Sequence, residues 1–190
     1  MVFTIVLGRT NGVKIMRLSK AFNWRGILAF VGYVLTIPGA NLMLVYVGWP
    51  SEDGPRLLPV GFGMMAPSGV FMVGASLFLR DVVQDYYGTR WACFAIASGI
   101  ILTAFLAPPS LAVASACAFA LSELCDLAIY TPLRRRSGWL ATIVSGLVGS
   151  IVDSVIFLVV AFGSLAFVEG QIVGKIAITI VFAFARWRFA

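Results

Sequence analysis

The chain has 190 residues, 61% of them hydrophobic and 12% charged, with a mean hydropathy of +0.99 and a formal net charge of +6. Soluble domains are about half apolar and a quarter charged, so this composition lacks the polar surface needed to cover a water-facing globule. It reads instead as an all-α polytopic membrane protein, a compact bundle with the lipid bilayer as its first partner. The absence of short alternating segments excludes an outer-membrane barrel.

A basic extension over 1–25 precedes the membrane domain, which runs over 26–187. It resembles a signal peptide, but the following apolar run is long and further spans succeed it, so an uncleaved signal-anchor is expected. Met16, just ahead of Arg17 and Lys20, is a candidate start. A helix crosses about 30 Å of hydrocarbon with roughly 20 residues. Six segments meet that length approximately: 26–48, 60–79, 91–107, 110–132, 139–163 and 168–187.

The first span contains Pro38 and Gly39, which free backbone groups inside a membrane helix, and Asn41, whose amide is either bonded to a neighbour or facing a central cavity. The connection Gly48–Pro59 is turn-rich, with Trp49 placed as an interfacial anchor. Span two is rich in Gly and Met and ends in a charged run from Arg80 to Arg90. On a helix Arg80 and Gln84 share one face, as do Asp81 and Asp85. That run reads as a solvated turn or, through Arg80, Asp81, Asp85 and Arg90, as a gate at the inner mouth. Span four carries two ridges of small residues, Ala112, Ala116, Ala120 and Ala114, Ala118, Ser122, which place it centrally. It then presents Ser122, Asp126 and Tyr130 as one polar stripe with Glu123 beside it.

Charge distribution follows topology. Arg9, Lys14, Arg17, Lys20 and Arg25, then Arg80, Arg90, Arg134, Arg135, Arg136, Arg186 and Arg188, all fall on one side of a six-span arrangement. The other side keeps Arg56. The positive-inside rule therefore puts both termini in the cytoplasm, and the net charge carries no implication of nucleic-acid binding. Cys93, Cys117 and Cys125, odd in number and within or near the spans, read as packing residues and not as a disulfide framework.

Glu123, Asp126, Asp153 and Lys175 lie inside otherwise lipid-soluble stretches. A charge at the bilayer centre costs about 2.5–3.5 kcal/mol on the insertion scale and typically marks a substrate or proton pathway. Asp126 lies eight residues before Arg134, Asp153 fourteen after Trp139 and Lys175 eleven before Arg186. At a rise of 1.5 Å per residue those offsets are roughly 12, 21 and 16 Å, near mid-membrane. Lys175 pairing with Asp153 or Asp126 is the cheapest way to carry them.

No enzyme is recognisable. The chain has no histidine, which excludes a Ser–His intramembrane protease. Asp126 in LCDLA and Asp153 in IVDSV lack the flanking glycines of intramembrane aspartyl proteases. There is no P-loop and no Cys or His metal cluster, and no cofactor is implied.

The order of Asn41, Asp81, the run Tyr87-Gly88-Thr89-Arg90, then Asp126, Leu133-Arg134, Trp139, Ser145, Gly149-x-x-x-Asp153, Phe157, Ala161-Phe162 and Lys175 resembles the queuosine precursor transporter family, also called the vitamin uptake transporter family. The resemblance covers roughly 36–185 and is strongest over 112–162; Arg80 and Gln84-Asp85 depart from the commoner acidic pattern. It implies import across the cell inner membrane of a small heterocycle, a 7-cyano- or 7-aminomethyl-7-deazaguanine. A carboxylate on that path is also able to titrate and couple transport to protons. A guanine-like edge offers two parallel donors that Glu123, Asp126 or Asp153 can accept. Phe119, Tyr130 or Phe157 would stack on the ring and Asn41 would read its carbonyl or a ring nitrogen. The alternative is a substrate-binding membrane subunit of a vitamin importer energised by separate ATPase subunits, and a homo-oligomer stays open in either case.

Overall fold

A computed structural model describes residues 23–51, 54–107, 109 and 111–189. The basic residues Arg9, Lys14, Arg17 and Lys20, and Met16, lie outside them, as do the side chains of Arg186 and Arg188. In chain order the elements are α1 (Trp24–Tyr46), β1 (Trp49–Ser51), β2 (Gly54–Gly61), β3 (Met64–Pro67), α2 (Val70–Tyr87), α3 (Thr89–Leu106), α4 (Ala112–Leu133), α5 (Gly138–Phe162) and α6 (Val168–Phe189).

Five of the helices, all but α2, are long and apolar enough to cross a membrane. Their side chains are sorted the opposite way from those of a soluble protein. Phe105, Val113, Leu35 and Phe184 face outward, while Arg80, Lys175 and Glu123 are among the largest fully buried side chains. Exposed apolar surface of this extent is unstable in water and is the normal lipid-facing surface of a bundle. Cys93 and Cys117 also lie on outward faces and Cys125 is half-buried, so they do not fill the interior as the sequence led us to expect.

Five predicted spans coincide with helices to within two residues at most ends. The second does not. Residues 49–51 and 54–67, part of which reads as the start of a span, form a three-stranded antiparallel sheet, β1-β2-β3, so the bundle is helical with a β appendage and not all-α. Leu58 pairs with Ala66 and Pro59 with Met65. The β2–β3 turn, Gly61-Phe62-Gly63, holds all three residues at positive φ (101, 52 and 74°), which glycine adopts without a steric cost on either side of Phe62. Arg56, the lone cation at this end in the sequence reading, donates from Nε to the Val45 carbonyl (2.8 Å) and from Nη1 to that of Gly48 (2.8 Å). It thereby caps the carbonyl end of α1, where a positive charge also meets the negative end of the helix dipole.

The helix that follows runs eight residues further than expected, because the charged segment from Arg80 to Tyr87 is helical and its inner face is buried. Gly88, at φ 88°, then reverses the chain directly into α3. Helices approach closely where glycines face a neighbour. A Cβ on Gly74 would stand 3.0 Å from the Lys175 carbonyl oxygen, one on Gly149 3.2 Å from the Asp126 Cβ, and one on Gly146 2.7 Å from the Thr179 Cγ2. Such contacts are the usual drivers of helix association in lipid. Gly146→Val is expected to separate α5 from α6 and to lower the melting temperature of the detergent-purified protein by several degrees; an unchanged melting curve would show that this contact has slack.

Candidate functional site

Two polar centres occupy the bundle interior, stacked along its axis. The first lies in the half nearer the sheet. There α1, α2, α3, α4, α5 and α6 surround a cleft with about 90 Å³ open to the centres of water molecules. Asn41, Phe119, Asp153, Phe157, Gln171 and Lys175 line it, in a wall that is otherwise mostly apolar. Concave, largely apolar sites with a few convergent polar groups are the usual form of small-molecule pockets.

Asn41 is placed by the turn after Pro38. Its Nδ2 donates to the Ile37 carbonyl one turn back (3.0 Å), leaving its Oδ1 for the cleft. Lys175 is fully committed. Its three N–H donors reach Asp153 Oδ2 (2.5 Å), Ser154 Oγ (2.7 Å) and Gln171 Oε1 (3.0 Å), the full complement of an ammonium. Asp153 and Ser154 hold α6 against α5, and Asp153 lines the cleft. The pairing of Lys175 with Asp153, one of two expected, is therefore the one formed.

The second centre lies one to two helical turns further from the sheet and does not line the cleft. Arg80 of α2 is completely buried. Its Nε donates to Glu123 Oε2 (3.1 Å) and its Nη1 contacts Asp81 Oδ1 (2.9 Å) and Gln84 Oε1 (3.2 Å). Its Nη2 is paired with Asp126. The Tyr130 ring lies under the guanidinium, 5.6 Å from Cζ to centroid, a cation–π distance. One planar fork thus gathers three carboxylates from two helices, a geometry that a lysine point charge does not offer.

Beyond it a ladder of polar contacts continues to the end of the bundle opposite the sheet. Gln84 Nε2 donates to Thr131 Oγ1 (2.9 Å) and to Thr89 Oγ1 (3.2 Å). The Tyr130 hydroxyl donates to the Asp85 carboxylate (3.0 Å), and Arg134 Nη1 reaches Asp85 Oδ1 (3.3 Å) and the Gln84 carbonyl (2.9 Å). Together these contacts fasten the second half of α2 to α4.

The sequence-predicted residues divide accordingly. Asn41, Phe119, Asp153, Phe157 and Lys175 meet at the cleft. Glu123 and Asp126 do not line it; the arginine takes both. Tyr130 is away from the cleft too, engaged by Asp85 and Arg80, so it is not placed to stack on a ring there. The Ser122 hydroxyl donates to the Phe119 carbonyl (3.1 Å) and orients α4 from within. Of the four residues assigned to an inner gate, Arg80 and Asp81 are buried in the cluster and not at a mouth, Asp85 belongs to the terminal rung, and Arg90 is exposed. Arg134, and not one of those four, is the cation that meets Asp85. Gln171 was missed. Its signal was present, one helical turn before Lys175 on the same face.

No curated protein and no solved structure matches the chain. Residues 102–186, which run from the end of α3 through α6 and carry Phe119, Glu123, Asp126, Asp153, Phe157, Gln171 and Lys175, match the family model described as "Putative vitamin uptake transporter". That match over the second half of the chain, joined to five helices of membrane-spanning length and apolarity, supports a membrane transporter similar to that family, the one its motifs resemble.

Proposed function

We propose that the protein imports a 7-deazaguanine precursor of queuosine, bound in the cleft between Phe119 and Phe157. The observation that carries this reading is the convergence there of two aromatic rings, two side-chain amides and one carboxylate on an apolar wall. A bicyclic heterocycle presents flat faces for the rings and an edge of donors and acceptors for the amides and for Asp153. Asp153 takes over the edge-reading role shared at first among three carboxylates, since Arg80 engages the other two.

In this reading the end bearing Arg90 and Arg134–Arg136 is cytoplasmic and the sheet faces outward, in accord with the positive-inside rule. The cleft then occupies the outer half, and the α2–α4 ladder closes the inner half. Release to the cytoplasm requires that ladder to part, so Asp85 and Arg134 act as the gate that sequence placed nearby.

The test is recovery of queuosine in tRNA by cells that lack both their own synthesis and their own importer, supplied with the precursor. Wild type restores the modification. Asn41→Leu, at matched membrane abundance, lowers the initial uptake rate about tenfold, as expected for loss of one hydrogen bond worth about 1–1.5 kcal/mol. Failure of the wild type to restore queuosine at good expression would overturn the substrate assignment.

A further inference from the structure

A hydroxyl serves a ligand as donor or acceptor, but several polar groups of the cleft have that choice made for them. Thr36 Oγ1 and Ser76 Oγ donate to the carbonyls of Tyr33 (2.6 Å) and Val73 (2.8 Å), so toward the cleft they only accept. Asp153, paired with Lys175, is an acceptor too, and the ammonium has all three of its donors engaged. Asn41 has given one amide hydrogen to Ile37. A ligand atom that accepts therefore meets few groups able to donate to it.

Gln171 is the exception. Its Oε1 faces the Lys175 ammonium, which has nothing to accept with, so the amide is held one way round and Nε2 keeps both hydrogens. The side chain is 3% exposed and lines the cleft, and among the described residues nothing accepts from Nε2. A second set of donors stands next to it. The start of α2 lines the same cleft at Gly69 and Val70, and no side chain caps it. Met72 and Val73 donate to the Gly69 carbonyl (3.0 and 3.2 Å), but the N–H groups of Gly69, Val70 and Phe71 have no partner among the described residues. With them comes the positive end of the helix dipole. Close packing joins the two sets: a Cβ on Gly174, one turn after Gln171 on the same face, would stand 3.1 Å from Val70 Cγ1.

We infer that Gln171 and the uncapped start of α2 form one corner of the cleft that holds a carbonyl oxygen of the ligand, and that this corner selects heterocycles bearing an oxo group over those bearing an amino group at the same position. Uncapped helix starts hold electron-rich oxygens. An amino group there would set N–H against N–H and leave buried donors unpaired, which is how polar sites reject ligands of nearly the same shape. Gln171 sets the specificity, and Lys175 positions it by fixing which way the amide points. The inference rests on the import reading for the ring that carries the oxo group.

Titration calorimetry on the detergent-purified full chain tests it with two compounds, 7-deazaguanine and 2,6-diamino-7-deazapurine, the second of which replaces the oxo group with an amino group. Wild type is expected to bind the oxo compound at least about tenfold more tightly. Gln171→Glu keeps an acceptor for Lys175 and removes both donor hydrogens, so the preference should collapse. Gln171→Met, of similar length and also without a donor, should behave alike if the glutamate variant does not fold. A folded variant that keeps the wild-type preference would overturn the role of Gln171. Equal affinities in wild type would overturn the inference whatever the variants do, and would leave the import reading intact. A wild type that binds neither compound removes the import reading and this inference with it.

Discussion

Asp153→Asn is expected to abolish uptake and to destabilise the protein together, and the two losses are separable. The carboxylate is the strongest of three acceptors for a completely buried ammonium, at 2.5 Å, and it alone brings a negative charge. Removing one partner of a buried ion pair leaves an uncompensated charge and costs about 3–5 kcal/mol. The double variant Asp153→Asn with Lys175→Gln removes both charges and should recover most of that stability, because replacing a buried pair with neutral groups is often close to neutral. Uptake should stay lost in the double variant, since the cleft no longer presents a carboxylate to the substrate edge. Melting curves in detergent and uptake at matched abundance decide it. A double variant that transports would reduce the pair to a fastening between α5 and α6.

Arg80→Lys is the second large effect. The substitution keeps the charge and shortens its reach to a point, whereas the fork engages Glu123, Asp81, Gln84 and Asp126 along three different edges. A lysine satisfies part of that set, and each buried acid left unpaired costs about 1–3 kcal/mol. The expected outcome is a protein that melts well below wild type and loses most of its uptake. Normal transport in Arg80→Lys would show that charge alone, without the fork, is what the cluster requires. Arg134→Gln, by contrast, removes a half-exposed contact at the end of the ladder, and its cost in stability is small.

Most of the helical framework could be read from hydropathy, because five spans are continuous apolar runs bounded by turns or basic residues. The sixth could not. The run from Pro59 to Leu79 has the length and composition of a span, but Pro59, Gly61 and Gly63 interrupt it, and its first part pairs as strands too short to show alternation. Displacing the start of α2 toward the C-terminus also displaced Arg80, which a hydropathy reading puts at a membrane edge and the fold puts between α2 and α4. The error in the site follows from that error in the helix. Glu123 and Asp126 looked like ligand-binding groups because their counter-charge was assigned to Lys175 alone. The polar stripe of α4, by contrast, was legible from spacing alone: Ser122, Asp126 and Tyr130 all turn inward. The Asp153–Lys175 pair was legible from depth, since both fall at similar distances from their basic or aromatic borders.

The composition of α2 bears on how the chain is made. A helix with Arg80, Asp81 and Asp85 in eighteen residues gains little by entering hydrocarbon by itself, and each charge near its centre opposes entry by about 2.5–3.5 kcal/mol. The groups that neutralise its arginine from outside belong to α4, which is synthesised some forty residues later. During synthesis α2 therefore has a period in which its partner does not yet exist, held only by α1, α3 and the short sheet. Its final seating is a late event that depends on α4 arriving. The helix that carries the buried arginine is thus seated only once a helix made well after it is in place.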